Sequence, residues 1–531
     1  MQSTSSETAS WTENTKATNF CIDTITAMYC LILTMVAIVI EISPTWRDDD
    51  MWLGYTIFTI LLYGGSVIFF FYIYLFILYP EFVNSIIRFL AKKGFIRKYE
   101  RYIIDYPVHN GEGAGTLYLR LGALIFGSLG SVLWGVEFQM CFFESRRHNL
   151  YILKYILAII FTYTQMHFMF SHSKITMKGN RILIKLGLMH CIAVNLWTWF
   201  SLCLIKADLK NGRKAALKNE TIAEIYSEHN TGMFEPHDKT LRTIIRMGSS
   251  SSILIISLVE FSLIAAAICF IIWKQDMTSD SEPGDKKRKK HVRFDCSGTS
   301  AGIFIGLAVH IASVVTISMH QILNKEKKSW AADSVIGYAE IVLFTIALFA
   351  VFLAIFRMRR LHYRIHAHGE IIDDILLIVG LAGECVYSCA GLDLYISEKI
   401  IHTSAPVITV VAFSLRITEV VIQTIFILVA SRMRCYTSAD IVNHPGKQVI
   451  TFLLVLNINL FIYHSFETSE TNFGFPSKIP DTYSVMLNCA SPLVVFYRFH
   501  SSACLAEIWK HTYSSKAPMI QKMENNIVRN Y

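Results

Sequence analysis

Two sets of side chains able to pass a proton lie inside the most apolar stretches of the chain. Glu260 stands between ISLV and FSLIAAA, and Gln165 and Asn195 occupy two other apolar blocks. Gln423, Asn457 and Tyr497 form a second set, with Tyr497 near the place that Glu260 holds in the first. Glu419 lies one helical turn before Gln423 and therefore on the same face. His190 stands in one apolar block and His500 in the last, one turn from Tyr497. An ionisable side chain in the middle of a membrane helix costs at least ~2.5–3.5 kcal/mol, so such groups face a bundle interior or a wet cavity. A carboxyl at Glu260 is permanently protonated or titrates on access to water, and the imidazoles change charge at mildly acid pH. Glu, His, Tyr, Asn and Gln together can relay protons through hydrogen bonds and water. The filter loops or charge rings that select metal ions are absent from the sequence.

Other readings of the same residues are plainer. Gln and Asn join membrane helices by hydrogen bonds worth ~0.6–2 kcal/mol, and a buried neutral histidine can simply make one such bond. Arg120 and Arg498 are expected to pair or to snorkel, and Glu137, Glu507 and Asp393 to sit near the interfaces. No HExxH, Walker loop or nucleophile–base pair supports an enzyme. The run Gly111-Glu112-Gly113-Ala114-Gly115 is a glycine-rich turn rather than a nucleotide site.

These residues need membrane helices to position them. The chain has 531 residues, 53% hydrophobic and only 17% charged, with mean hydropathy +0.41. Its apolar residues come in long blocks with the charges between them, the pattern of an all-α polytopic membrane protein. Blocks long enough to span fall near 20–42, 52–79, 116–142, 149–172, 182–206, 250–273, 299–322, 334–356, 371–396, 404–430, 447–465 and 482–509. That is about twelve transmembrane helices. The net charge of +8 lies in short connections rather than in a nucleic-acid-binding motif. Basic segments at 81–114, 275–298, 357–369 and 432–447 alternate with the acidic RDDD at 47–50 and the nearly neutral 467–481. The bias places both termini in the cytoplasm, with Arg146, Arg147, Lys325, Lys327 and Lys328 as exceptions. The loop 207–249 then lies outside, carrying a glycosylation sequon at Asn219 and two weak zinc-ligand candidates, His229 and His237. Most of the twelve cysteines lie in apolar blocks and read as small packing residues, with no metal or disulfide framework.

The expected organisation is a tail at 1–18, a six-helix domain at 19–274, a basic linker at 275–298, a second six-helix domain at 299–510 and a tail at 511–531. The tail at 1–18 lacks the features of a signal peptide. The linker's KKRKK suits anionic lipid at the membrane surface. The two domains look duplicated. Gln165, Phe168, Ser173 and Lys174 recur at the same offsets as Gln423, Phe426, Ser431 and Arg432. Asn195 recurs as Asn457, the Gly-x-x-Gly of 127–130 as that of 380–383, and Leu-Val-x-Phe of 258–261 as that of 493–496. Six helices per copy keep the copies in one orientation, as in a parallel repeat.

The stretches YLRLGALIFGSLG…GVEF (118–138), GLMHCIAVNLWTW (187–199), VEFSLIAAAICFIIW (259–273), GKQVITFLLVLNINLF…SFE (446–467) and FYRFHSSACLAEIW (496–509) resemble the otopetrins, a family of proton-selective channels. The resemblance implies a twelve-helix subunit, a homodimer with sterol or other lipid at its centre, inward proton conduction on external acidification, and inhibition by zinc. It implies roles in proton sensing or permeation for His190, Glu260 and His500, and matched polar sets at Gln165, Asn195, Glu260 and at Gln423, Asn457, Tyr497. Phe499 and Ile458-Asn459 depart from the family pattern, and the second adds polarity beside Asn457. Two further readings stand beside a channel. One is a proton-coupled carrier of a small solute, although Pro406 and Pro492 are not placed alike in the two halves as a carrier's broken helices would be. The other is a scaffold that uses its polar residues only for packing.

Overall fold

The computed structural model describes residues 15–43, 52–93, 103–104, 116–143, 149–171, 180–217, 249–274, 299–326, 328–363, 371–397, 404–435, 440, 443–469 and 481–513. It divides into two compact units, Met1–Lys286 and Lys287–Tyr531. The division falls inside the KKRKK linker.

In the first unit the helices are α1 (Thr15–Ile42), α2 (Trp52–Tyr72), α3 (Pro80–Lys92), α4 (Leu117–Phe143), α5 (Asn149–Ser171), α6 (Arg181–Leu217) and α7 (Ser249–Lys274). The second unit has α8 (Ser300–Lys325), α9 (Ser329–Met358), α10 (Ile371–Ser397), α11 (Ser404–Ala430), α12 (Lys447–Ser469) and α13 (Asp481–Thr512). Two-residue strands β1 (His362–Tyr363) and β2 (Met433–Arg434) pair antiparallel. Among the described residues eleven helices are long and apolar enough to cross a membrane. Large apolar side chains such as Phe20, Ile32, Phe304 and Phe349 lie exposed on them. A helix satisfies its own backbone groups, which is what the bilayer demands. The protein is thus an all-α, multi-pass membrane protein.

Three features differ from the sequence-based expectation. The twelfth expected span, α13, has 32 residues, ~48 Å at 1.5 Å per residue, but Arg498, His500, Glu507 and Lys510 make it too polar to qualify on composition. Helix α6 runs to Leu217, eleven residues past the expected end of its block at 206. Helix α3 was not anticipated within the basic segment 81–114. It follows a π-helical turn, Ile73–Leu78, that closes with Tyr79 N–H donating to the Tyr74 carbonyl at 2.9 Å. Pro80 then starts α3, where its missing N–H costs nothing.

The duplication is visible in the packing. In the first unit α4 packs on α5 and α7, α6 on α1, α2 and α7, and α5 on α2 and α7. In the second, α10 packs on α11 and α13, α12 on α8, α9 and α13, and α11 on α9 and α13. With the short α3 set aside and the rest taken in order within each unit, these are the same pairs of helices, while α8 also packs on α9. The repeated sequence motifs meet at one of them. A Cβ on Gly130 would lie 2.9 Å from Leu258 Cα, and one on Gly383 would lie 2.1 Å from Leu493 Cβ. Gly127 faces Phe261 as Gly380 faces Phe496 and Tyr497. Each Gly-x-x-Gly therefore receives the Leu-Val-x-Phe of its own unit, because only a missing side chain lets the helices approach so closely.

Candidate functional site

The second unit joins its polar set directly. Gln423 on α11 and Asn457 on α12 exchange two amide hydrogen bonds, Gln423 Nε2 to Asn457 Oδ1 at 3.0 Å and Asn457 Nδ2 to Gln423 Oε1 at 2.9 Å. Gln423 Nε2 also reaches Tyr497 Oη at 3.4 Å, and Tyr497 donates to the Val420 carbonyl at 2.9 Å. All three side chains are fully buried. The first unit leaves the matching set unjoined. Among the described residues Gln165 Nε2 meets only Cys269 Sγ at 3.5 Å, and Asn195 Nδ2 turns back to the Cys191 carbonyl at 2.7 Å. Gln165 Oε1 and both Glu260 carboxyl oxygens are buried without a hydrogen-bond partner among the described residues, and Glu260 lies within the electrostatic reach of the buried Lys206. One sequence pattern has thus become a closed amide latch in one unit and an open set of acceptors in the other. None of Gln165, Glu260, Gln423, Asn457, Tyr497 and His500 reaches the surface in this conformation, so a proton path through either set needs side chains to move.

The two expected histidines differ in what they offer. His190 Nε2–H donates to the Leu62 carbonyl at 2.9 Å, while its Nδ1 takes a bond from Tyr29 Oη at 2.8 Å. Both ring nitrogens are satisfied. His500 Nε2–H donates to the Asp373 carbonyl at 2.9 Å, and its ring stacks on Phe496 at 5.5 Å. Its Nδ1 has no partner among the described residues and so keeps a free lone pair for a proton.

Arg498 does not snorkel. It is fully buried, with Nε donating to Glu384 Oε1 at 3.2 Å and Nη1 lying 2.8 Å from Glu419 Oε2. Glu384 also accepts from Arg416 Nε at 2.9 Å, and Arg416 Nη1 reaches both oxygens of Glu467 at 3.0 and 3.2 Å. His464 Nδ1 bonds Glu467 in turn. This chain of charges across α10, α11, α12 and α13 was missed at Glu384, Arg416, His464 and Glu467. The signals were present: Glu384 directly follows the second glycine of its Gly-x-x-Gly, and Arg416 lies one turn before Glu419.

Other expected residues stand apart. Glu507 bonds His511 at 2.8 Å and lies 3.7 Å from Lys510 on its own helix. Glu137, less than two turns from the end of α4, is buried and accepts from Tyr155 Oη at 3.1 Å. Arg120 Nε turns to the Thr116 carbonyl at 3.4 Å, and Asp393 accepts from Tyr483 at 2.6 Å. Asn219, His229 and His237 lie outside the described residues. An acid of the first unit that sequence reading passed over, Glu41, is held by Tyr55, Trp197 and Ser201, each at 2.9 Å.

The family profile described as Otopetrin matches residues 118–244 and 236–499. The chain is 25% identical over 446 residues to Proton channel OtopLc of Drosophila melanogaster, an alignment covering 76% of this chain and 28% of the relative. It is 20% identical over 438 residues to Proton channel OTOP1 of Danio rerio, covering 67% of this chain and 72% of the relative. The chain spans little more than a quarter of the length of the first of these relatives.

Proposed function

Because the chain belongs to the otopetrin family, its profile match covering more than half of the sequence, we propose that it is a proton channel that admits protons when the outside is acidified. The observation that carries this reading is the repeated buried polar set, Gln165, Asn195 and Glu260 in one unit and Gln423, Asn457 and Tyr497 in the other, in a chain whose two named relatives are both proton channels. The carboxyl of Glu260 can exchange a proton and the amides and phenol can order water by hydrogen bonds, without redox or covalent chemistry, and the reading is of a channel rather than an enzyme. In the second unit the Gln423–Asn457 pair closes the path, and parting it would free two amides to order water. In the first unit Gln165 Oε1 and Glu260 stand ready as acceptors. His500 takes protons at its free Nδ1, and His190 does so only when Tyr29 turns away.

The remaining features of the reading follow the family resemblance. The protein acts in the plasma membrane with both termini cytoplasmic, as a homodimer with sterol or other lipid bound. Zinc inhibits it, with His229 and His237 as candidate ligands, and Asn219 carries a glycan on the outer loop.

The test uses the purified full chain in lipid vesicles under an imposed pH gradient, with no added solute. Proton flux should appear, and its reversal potential should follow the proton gradient. Glu260→Gln and His500→Ala should each alter the current or its pH dependence at normal surface expression in cells. Flux that depends on an added solute identifies a carrier, and no flux in any condition identifies a scaffold. Either result rejects the channel.

A further inference from the structure

One buried cluster of the second unit holds more carboxylates than guanidinium groups, and the buried Lys447 lies apart from it, about five turns before Glu467 and over the ring of Trp509. Glu340 on α9, Glu384 on α10, Glu419 on α11 and Glu467 on α12 surround Arg416 on α11 and Arg498 on α13. Arg416 holds Glu384 and Glu467, and Arg498 holds Glu384 and Glu419. Glu340 lies within the electrostatic reach of Glu467, Arg416 and Glu384. Phe344, one turn along α9, lies beneath both guanidinium groups at 5.8 and 5.6 Å and stacks on His464 at 6.1 Å. Four ionised carboxylates and two guanidinium groups leave two negative charges uncompensated inside a membrane protein. An unpaired buried charge is far more costly than a neutralised one.

The groups facing this cluster do not supply the missing charge. Tyr387 on α10, Tyr463 on α12 and Tyr497 on α13 are phenols, and Tyr387 lies under Arg416 at 5.0 Å. Asp333, two turns before Glu340, adds acid near Tyr395. On α8, His310 bonds Asn459 and His320 bonds Asn324. His500 bonds the Asp373 carbonyl, and Arg432 pairs with Asp374. Several cluster atoms are buried without hydrogen-bond partners among the described residues: both oxygens of Glu419, His464 Nε2, Arg416 Nη2 and Arg498 Nη2.

Among the described residues the first unit does not repeat this cluster, although its Glu260 lies within the electrostatic reach of the buried Lys206 and its Asp23 pairs with Lys185. In the register that aligns Gln165 with Gln423, Arg416 and Glu419 face Ala158 and Phe161. Asn195 aligned with Asn457 sets His464 and Glu467 against Leu202 and Ile205. The glycine motif sets Glu384 against Ser131, and Leu-Val-x-Phe sets Arg498 against Leu263. Phe161 belongs instead to an aromatic cluster in which Tyr63 lies 5.6 Å from Trp197, 5.8 Å from Phe161 and 6.3 Å from Trp134.

We propose that the second unit contains a buried proton-binding site, absent from the first, in which Glu340, Glu384, Glu419, Glu467 and His464 together hold two protons against Arg416 and Arg498. Glu340 carries one of them as a neutral carboxylic acid, since the other three carboxylates each contact an arginine. The second is held by His464 or Glu419. The site stands whichever route protons take through the protein.

The test is the carboxyl spectrum of the full chain in lipid nanodiscs at neutral pH. Infrared spectra with deuterium exchange, and 13C NMR of glutamate-labelled protein, both separate protonated from ionised carboxyls. Glu340→Gln should remove one protonated component, and Glu260→Gln should leave that component in place. Glu340→Asp keeps the acid and should shift the component, which provides the test if the glutamine variant does not fold. No protonated glutamate in the wild type, or a component that neither change at Glu340 alters, overturns the proposal. Proton flux is measured on the same preparations, so failure of conduction and failure of this site are read separately.

Discussion

Glu384 stands between two guanidinium groups, each with one other acid, and this position sets the consequence of removing its charge. Glu384→Gln would leave Arg416 dependent on Glu467 and Arg498 dependent on Glu419, whose carboxyl lies close to the guanidinium but out of hydrogen-bond alignment. Each arginine keeps one acid, so the cost is that of weakening hydrogen bonds to charged groups, about 1.5–3 kcal/mol. The variant should lose that much stability in denaturant unfolding of the purified protein, and a loss under about 1 kcal/mol would mean that the guanidiniums find other partners. The histidines lead to a separate expectation. With Nε2 donating to a carbonyl, His500 should be the Nε2–H tautomer with a bare Nδ1, whereas His190 should show Nδ1 hydrogen-bonded. The 15N shifts of the two rings distinguish these states, and a protonated Nδ1 on neutral His500 would contradict the geometry. Sequence shows that such groups are costly in an apolar block but not which group neutralises which. Arg498 was legible as a charge needing a partner. That its partners are Glu384, about 110 residues away, and Glu419 is a tertiary fact.

At the scale of helices, the contact of α4 with α7 and of α10 with α13 depends on glycine. A methyl group on Gly383 would meet Leu493 Cβ at 2.1 Å, which main-chain contacts do not permit without a shift of the helix. Gly383→Ala should destabilise the protein by about 1–3 kcal/mol, the usual cost of overpacking. Adding Leu493→Gly removes the Cβ that clashes, so the double variant should be more stable than the sum of the single effects predicts. Strict additivity in that cycle would place the cost elsewhere. The recurring motifs were readable as residue types at fixed offsets. That one motif is the socket for the other became visible only when the helices were packed. Helix α3 was illegible for another reason: its apolar residues Phe82, Ile86 and Phe89 are embedded in a basic segment, and a short amphipathic helix carries too little hydropathy to stand out beside full spans.

At the scale of the whole molecule, the same helix-pairing scheme carries two different interiors, and the difference should appear in stability. Block boundaries, span number and the duplication were all close to legible, because bilayer thickness and hydropathy fix them. The divergence of the two interiors was not, because Gln165 and Gln423 look alike as letters. Gln423 makes a reciprocal bond pair with Asn457, and replacing it by leucine strands a buried amide in the next helix. Gln165 makes one 3.5 Å contact to a thiol, with its carbonyl oxygen already unpaired, so leucine there strands nothing of comparable polarity. Leaving a buried polar group unsatisfied costs about 1–3 kcal/mol. Gln423→Leu should therefore lower unfolding stability by that amount, whereas Gln165→Leu should stay within about 1 kcal/mol of the parent protein. Asn457→Leu added to Gln423→Leu should recover part of the loss, since neither amide is then left alone. Equal losses for Gln165→Leu and Gln423→Leu, with no recovery in the double variant, would show that both units close in the same way and that the latch is not special to the second.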